Sequence, residues 1–157
     1  MNIIVELSIE KPVAEVWEVM GNQFGYAHRW SSNFKTSKPG GEAKFEGISY
    51  SLRDTTTERG NTVQELTAFD ATNHSLTYEI TKGAPDIAKK AGATWSLEAK
   101  DNSTMLHMDF IMEPKMPLNE EMETKIKTGL TASVTQLAQE LKHYLEKGEP
   151  HPAAIKN

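Results

Sequence analysis

From Asn119 to Lys147, apolar residues recur at intervals of three and four: Met122, Ile126, Leu130, Val134, Leu137, Leu141, Tyr144 and Leu145. That spacing is one face of an α-helix of about eight turns. Asn119 is placed to cap the first turn, and Glu120, Glu121 and Glu123 sit where the helix dipole favours negative charge. Lys142, His143 and Lys147 occupy the opposite end, Gly148 suits the C′ position, and Pro150 prevents continuation. Such a helix is roughly 43 Å long at about 1.5 Å per residue. A stripe of that length needs a broad partner surface, and the rest of the chain reads mostly as strands. The spacing places Ile126, Leu130, Val134, Leu137 and Leu141 against a sheet, with Glu140 and Lys142 exposed.

Upstream, Ile3, Val5, Leu7 and Ile9 alternate with Ile4, Glu6 and Ser8, as in a strand with one buried face. Pro12 then suits the first turn of a short helix carrying Val13, Val16, Trp17 and Met20. A second short helix is predicted from Asn22 to Arg29, followed by a strand around Asn33 to Ser37. Strands follow in which Ile48, Tyr50 and Leu52, then Gln64, Leu66 and Ala68, then Leu76, Tyr78 and Ile80 share a face. Asp54 to Thr57 reads as strand end and loop, and Asp86 to Ala91 as a single helical turn. Two further strands place Ala93, Trp95 and Leu97, then Leu106, Met108, Phe110 and Met112, on one side, with His107 and Asp109 on the other. Short turns such as Glu58-Arg59-Gly60-Asn61 make the sheet antiparallel. The prediction is an α+β domain over residues 1–148, with about seven strands curled around the final helix and two short helices after the first strand. Residues 149–157 are expected to form a frayed tail.

The 157 residues suffice for one domain with a core. The net charge of −5 leaves no basic stripe, which argues against a nucleic-acid partner. Without cysteine there is no disulfide, thiolate metal site or cysteine nucleophile. The histidines lack zinc-ligand spacing, and no glycine-rich phosphate loop is present. The expectation is no cofactor, no metal and no catalytic residue. No apolar run is long enough to span a membrane, and no signal peptide is visible, so the expected compartment is the cytoplasm.

Several ordered motifs resemble those of the START and Bet v 1 superfamily, the SRPBCC group, and in particular its bacterial members labelled polyketide cyclase or dehydrase. Pro12-Val13-Ala14-Glu15-Val16-Trp17 resembles the family's proline-led opening helix. Gly21 through Phe24-Gly25 to Trp30 resembles its second segment, Gln64-Glu65-Leu66 with Phe69-Asp70 a later strand, and Leu76-Thr77-Tyr78-Glu79-Ile80 the next. With Pro114 and the long helix, the resemblance covers roughly residues 3 to 147. It implies a helix-grip fold with a cavity between sheet and helix. Two departures stand out. Gln64 occupies the position where the family usually carries a glutamate, and the glycine-x-x-arginine that often precedes this strand is absent after Gly47.

Parity then suggests the cavity lining: Trp30, Phe34, Tyr50, Gln64, Leu66, Tyr78, Ile80, Trp95, Met108, Phe110, Ile126, Leu130 and Val134. Aromatic rings and flexible methionines suit flat or irregular apolar ligands, with Tyr50, Gln64 and Tyr78 to fix orientation. Trp30 fits equally a core seal or a stacking residue at a pocket mouth. The expected partner is a hydrophobic or aromatic small molecule, lipid-like or polyketide-like, bound by a monomer or homodimer without stable membrane insertion. A cyclase or dehydratase using the same cavity is the alternative. It needs an inward ionisable group, which Glu65, Arg53 or Asp109 would supply if a strand's facing were shifted by one. A chaperone co-activator-like interaction domain is a third possibility.

Overall fold

The computed structural model describes residues 1–156. The first alternating run forms β1 (Asn2–Ile9), with Ile3 and Ile9 buried. Pro12 precedes α1 (Val13–Trp17), which widens into a π-turn over Glu18–Asn22 and then a 3-10 segment, Phe24–Arg29. Gly21 lies against the Trp17 indole, where a Cβ would come within 2.5 Å of the ring. Six strands follow: β2 (Thr36–Gly40), β3 (Leu52–Thr57), β4 (Gly60–Asp70), β5 (Ser75–Lys82), β6 (Ala88–Lys100) and β7 (Ser103–Pro114). All neighbours are antiparallel, in the order β1-β7-β6-β5-β4-β3-β2. The long helix α2 (Glu120–Lys147) completes the expected helix-grip arrangement. Its first turn is capped by Asn119, whose side chain accepts from the Met122 amide at 2.8 Å, and it ends at Gly148 with φ 72°.

The grip is uneven along α2. Val134, Leu137, Ala138 and Leu141 are buried, but Ile126 and Leu130 are only half-buried, and Met122 is exposed. The C-terminal half packs into the main core with Trp17, Phe24, Trp30, Trp95 and Met108. The N-terminal half rests on a smaller cluster, in which Ile126 and Leu130 meet Ala88, Ala91 and Met112. Glu140 was expected to be exposed and is instead fully buried. Its carboxylate accepts from the Ser32 amide at 2.9 Å and the Gln136 side chain at 3.1 Å, so it anchors the loop after the 3-10 segment. Lys142, also expected outside, is half-buried and donates to the Ser8 carbonyl and to Glu146 at 2.9 Å.

Three local expectations fail for identifiable reasons. Asn33 lies in a turn, and β2 begins at Thr36 and runs through Pro39 at the sheet edge, where a missing N–H costs no ladder bond. Asp86 to Ala91 is not helical: the turn is confined to Asp86-Ile87, closed by the Ala88 N–H to Pro85 C=O bond at 2.9 Å, and β6 begins at Ala88. In β4 a register shift between Leu66 and Ala68 reverses the facing, so Ala68 is exposed and Phe69 is buried.

Of the tail expected to fray, residues up to 156 dock instead, and Asn157 lies outside the described residues. Pro152–Ala154 forms a 3-10 turn with Ala154 buried, and Lys156 donates to the carbonyls of His28 at 2.6 Å and Ser31 at 3.0 Å. Nδ1 of His28 is buried and has no hydrogen-bond partner among the described residues. Burial, reinforced by the charges of Arg29 and Lys156, holds the His28 pKa below its ordinary 6.5. The folded protein therefore takes up this proton less readily than the unfolded chain. Its contribution to stability is complete above about pH 6.5 and is lost as the pH falls from there through the folded value. Denaturant unfolding at pH 7.5 and pH 5.5 should show a loss at the lower pH that His28→Gln reduces. An identical loss in the variant would assign the effect to another group.

Candidate ligand-binding cleft

Where α2 lifts away from the sheet, a cleft of about 420 Å³ opens between them. Tyr78 and Ile80 of β5, Phe110 of β7 and Gln64 of β4 form its sheet wall. Leu130, Ser133, Val134 and Leu137 of α2 form the opposite wall, and Phe34 closes one side from the loop before β2. The β3–β4 turn, with Glu58 and Arg59, stands at the mouth beside Asn33 and Asn61. A shallower hollow of about 750 Å³ lies over Asn119, Glu120, Glu121, Thr124 and Lys125, ringed by the helix-start carboxylates and open to solvent.

Seven of the residues read from parity stand in the cleft wall: Phe34, Gln64, Tyr78, Ile80, Phe110, Leu130 and Val134. The other six lie elsewhere. Trp30 and Trp95 are core residues with ring centroids 6.3 Å apart. Met108 and Leu66 are buried in the same core, and Ile126 belongs to the smaller cluster. Tyr50 lies outside β3. Its hydroxyl accepts from the Gly25 amide at 2.8 Å and donates to the Asn22 carbonyl at 3.1 Å, so it braces the 3-10 segment rather than a ligand. Burial raises the Tyr50 pKa, which keeps the hydroxyl protonated for that bond.

The largest departure is in β3. Its inward residues are Arg53 and Thr55, buried like Ser51 just before the strand, while Leu52 is half-exposed. Asp54 to Thr57 is strand rather than loop, and Thr55 bonds Thr62 across the ladder. Arg53 is thus a core residue, 1% exposed. Its Nε donates to Gln64 Oε1 at 2.7 Å and Nη1 to the Phe24 carbonyl at 3.1 Å. Aromatic rings surround the guanidinium: Phe24 at 4.0 Å, Phe34 at 5.1 Å, Tyr78 at 5.2 Å and Trp95 at 5.4 Å from Cζ. Burial lowers its pKa to about 10, with Tyr78 and Tyr50 opposing that shift, so it is charged at neutral pH. Burial also raises the Tyr78 pKa against the pull of Arg53, leaving Tyr78 a neutral hydroxyl.

Arg53 could have been found by counting back from the turn. Thr57 pairs with Gly60, which sets Arg53 opposite Gln64, and directly opposed residues share a face. Assigning Gln64 inward therefore requires Arg53 inward and excludes Leu52. The other two ionisable candidates point away from the cleft. Glu65 pairs with Lys44 at 3.1 Å, and Asp109 accepts from the Asn2 side chain at 3.1 Å. His107 faces Glu6 at 3.6 Å on the outer side of the sheet.

The family described as polyketide cyclase / dehydrase and lipid transport matches residues 3–146. No curated protein matches the chain by sequence. Among solved structures, a START superfamily protein from Mycobacterium smegmatis superposes with a TM-score of 0.74 at 17% identity, over 93% of this chain and 97% of that one. The protein XoxI from Bacillus cereus gives 0.74 at 17% identity, over 96% and 99%. Ara h 8.0201 gives 0.66 at 16% identity, over 94% and 98%. At these identities the likeness is one of fold. Among the described residues, no helix is long and apolar enough to cross a membrane.

Proposed function

The chain belongs to the polyketide cyclase / dehydrase and lipid transport family, and from that footing we propose that it binds a hydrophobic or aromatic small molecule in the cleft between sheet and α2. The observation that carries this reading is the cleft itself. Phe34, Ile80, Phe110, Leu130, Val134 and Leu137 supply its apolar surface, and the polar groups among them, Gln64, Tyr78, Ser133, Thr57 and Thr62, are uncharged. An apolar pocket with a few convergent polar groups is the usual form of a small-molecule site. The ionisable mouth residues Glu58 and Arg59 stand on the exposed β3–β4 turn. A cyclase or dehydratase in the same cleft would draw on Arg53 or Tyr78. Arg53 does face inward, as that alternative requires, but it is charged at neutral pH and cannot act as a base. The raised pKa of Tyr78 suits a hydrogen-bond donor better than a base. Holding the ligand is therefore the reading the wall chemistry favours.

Native mass spectrometry of freshly purified protein tests it. The expected result is a mass excess over the polypeptide that organic extraction removes. A bare polypeptide mass that stays bare after incubation with N-phenyl-1-naphthylamine would contradict the reading.

A further inference from the structure

Arg53 holds a positive charge behind the sheet wall of the cleft, and nothing among the described residues neutralises it. None of the ion pairs includes it. Its two hydrogen bonds go to neutral acceptors, the Gln64 amide and the Phe24 carbonyl. Its Nη2 is buried without a hydrogen bond of ordinary geometry among the described residues, and the one further polar group that acts on the guanidinium there, the Tyr78 hydroxyl, is neutral as well. Buried charges are ordinarily paired because desolvating a lone charge is costly, whereas the rings around this one offer π faces but no counter-charge. The group is also a planar fork, the form that best matches a carboxylate.

Position adds the second half of the argument. Gln64 touches Arg53 directly, and Phe34 and Tyr78 cover its faces; all three are cleft-wall residues. The guanidinium therefore lies one side chain behind the wall. Of the three, Gln64 and Tyr78 are held in strands, whereas Phe34 comes from the loop before β2. Moving Phe34 breaks no sheet hydrogen bond.

We infer that the cleft selects an amphipathic anion, an apolar body ending in a carboxylate or similar acid, whose charged end displaces Phe34 and pairs with Arg53. This rests on the cleft-binding reading and narrows it. The apolar body lies along Ile80, Phe110, Leu130 and Val134. The net charge of −5 disfavours anions at long range, so such a preference has to arise locally.

The test uses two fluorescent probes with the same ring system, 8-anilino-1-naphthalenesulfonate and the uncharged N-phenyl-1-naphthylamine. Wild type should bind the anion at least about tenfold more tightly, about 1.4 kcal/mol. Arg53→Met removes the charge but keeps an apolar side chain in the aromatic cage. It should abolish the preference while leaving affinity for the neutral probe in place. Equal affinities in wild type would overturn this inference and leave the cleft-binding reading intact. Failure of the neutral probe to bind at all would overturn that reading itself. A preference that persists in Arg53→Met, or that Arg59→Gln removes, would place the anion at the mouth and also overturn the inference. If Arg53→Met does not fold, displacement of the neutral probe from wild type decides. Decanoate should compete at roughly tenfold lower concentration than 1-decanol, and equal potency would overturn the inference.

Discussion

Replacing Trp95 with alanine is expected to destabilise the protein by about 3 to 5 kcal/mol. Trp95 is 1% exposed and sits mid-strand in β6, paired with Leu76 on one side and Met108 on the other. Its ring meets Tyr78 edge-on at 5.6 Å and Trp30 at 6.3 Å, and it covers one side of the Arg53 guanidinium at 5.4 Å. Alanine would remove the indole from the meeting point of sheet, 3-10 segment and helix. The strands on either side are held in register, so collapse around the void is restricted. Arg53 would lose part of its aromatic cage as well, and a charge partly uncovered in a cavity adds to the cost. Trp95→Phe keeps a ring in place and should lose less. Urea unfolding followed by circular dichroism measures both, and a Trp95→Ala loss below about 1 kcal/mol would contradict the placement of Trp95 at the centre of the core.

The architecture was legible because its two signals are local. Three-and-four spacing with an asparagine cap and a terminal glycine defines α2, and alternation between turn residues defines most strands. Facing depends on pairing, and there local reading failed. Ile48, Tyr50 and Leu52 alternate convincingly, yet the β3–β4 turn pairs Arg53 with Gln64 and turns Leu52 outward. The bulge after Leu66 has no signature in the residues around it. Glu140 illustrates a longer-range failure. It flanks the apolar stripe of α2, and its burial follows from the Ser32 amide, 108 residues away, which needs an acceptor. The cleft wall was half legible for the same reason. Strand parity identifies residues that face the helix, but it does not reveal where the helix departs from the sheet. That point separates Phe110 and Ile80, which line the cleft, from Met108 and Trp95, which are sealed in the core.

The second large effect is on binding. Val134 is buried on the face of α2 that looks into the cleft, opposite Tyr78, Ile80 and Phe110. An indole in its place would occupy the space a ligand needs, with solvent room at the mouth to relieve overpacking. Wild type is expected to bind N-phenyl-1-naphthylamine in the micromolar range, about −8 kcal/mol. Val134→Trp should weaken that by at least about thirtyfold, roughly 2 kcal/mol. Leu130→Trp, one turn earlier on the same wall, should act in the same direction. Circular dichroism must show the helix content of each variant unchanged, so that lost binding reports a filled cleft and not a lost fold.

The most direct measurement is therefore a fluorescence titration of N-phenyl-1-naphthylamine into wild type and Val134→Trp side by side. A saturable micromolar isotherm in wild type that disappears in the folded variant is the predicted result. Equal isotherms in the two proteins would place the probe elsewhere and contradict the cleft as the binding site.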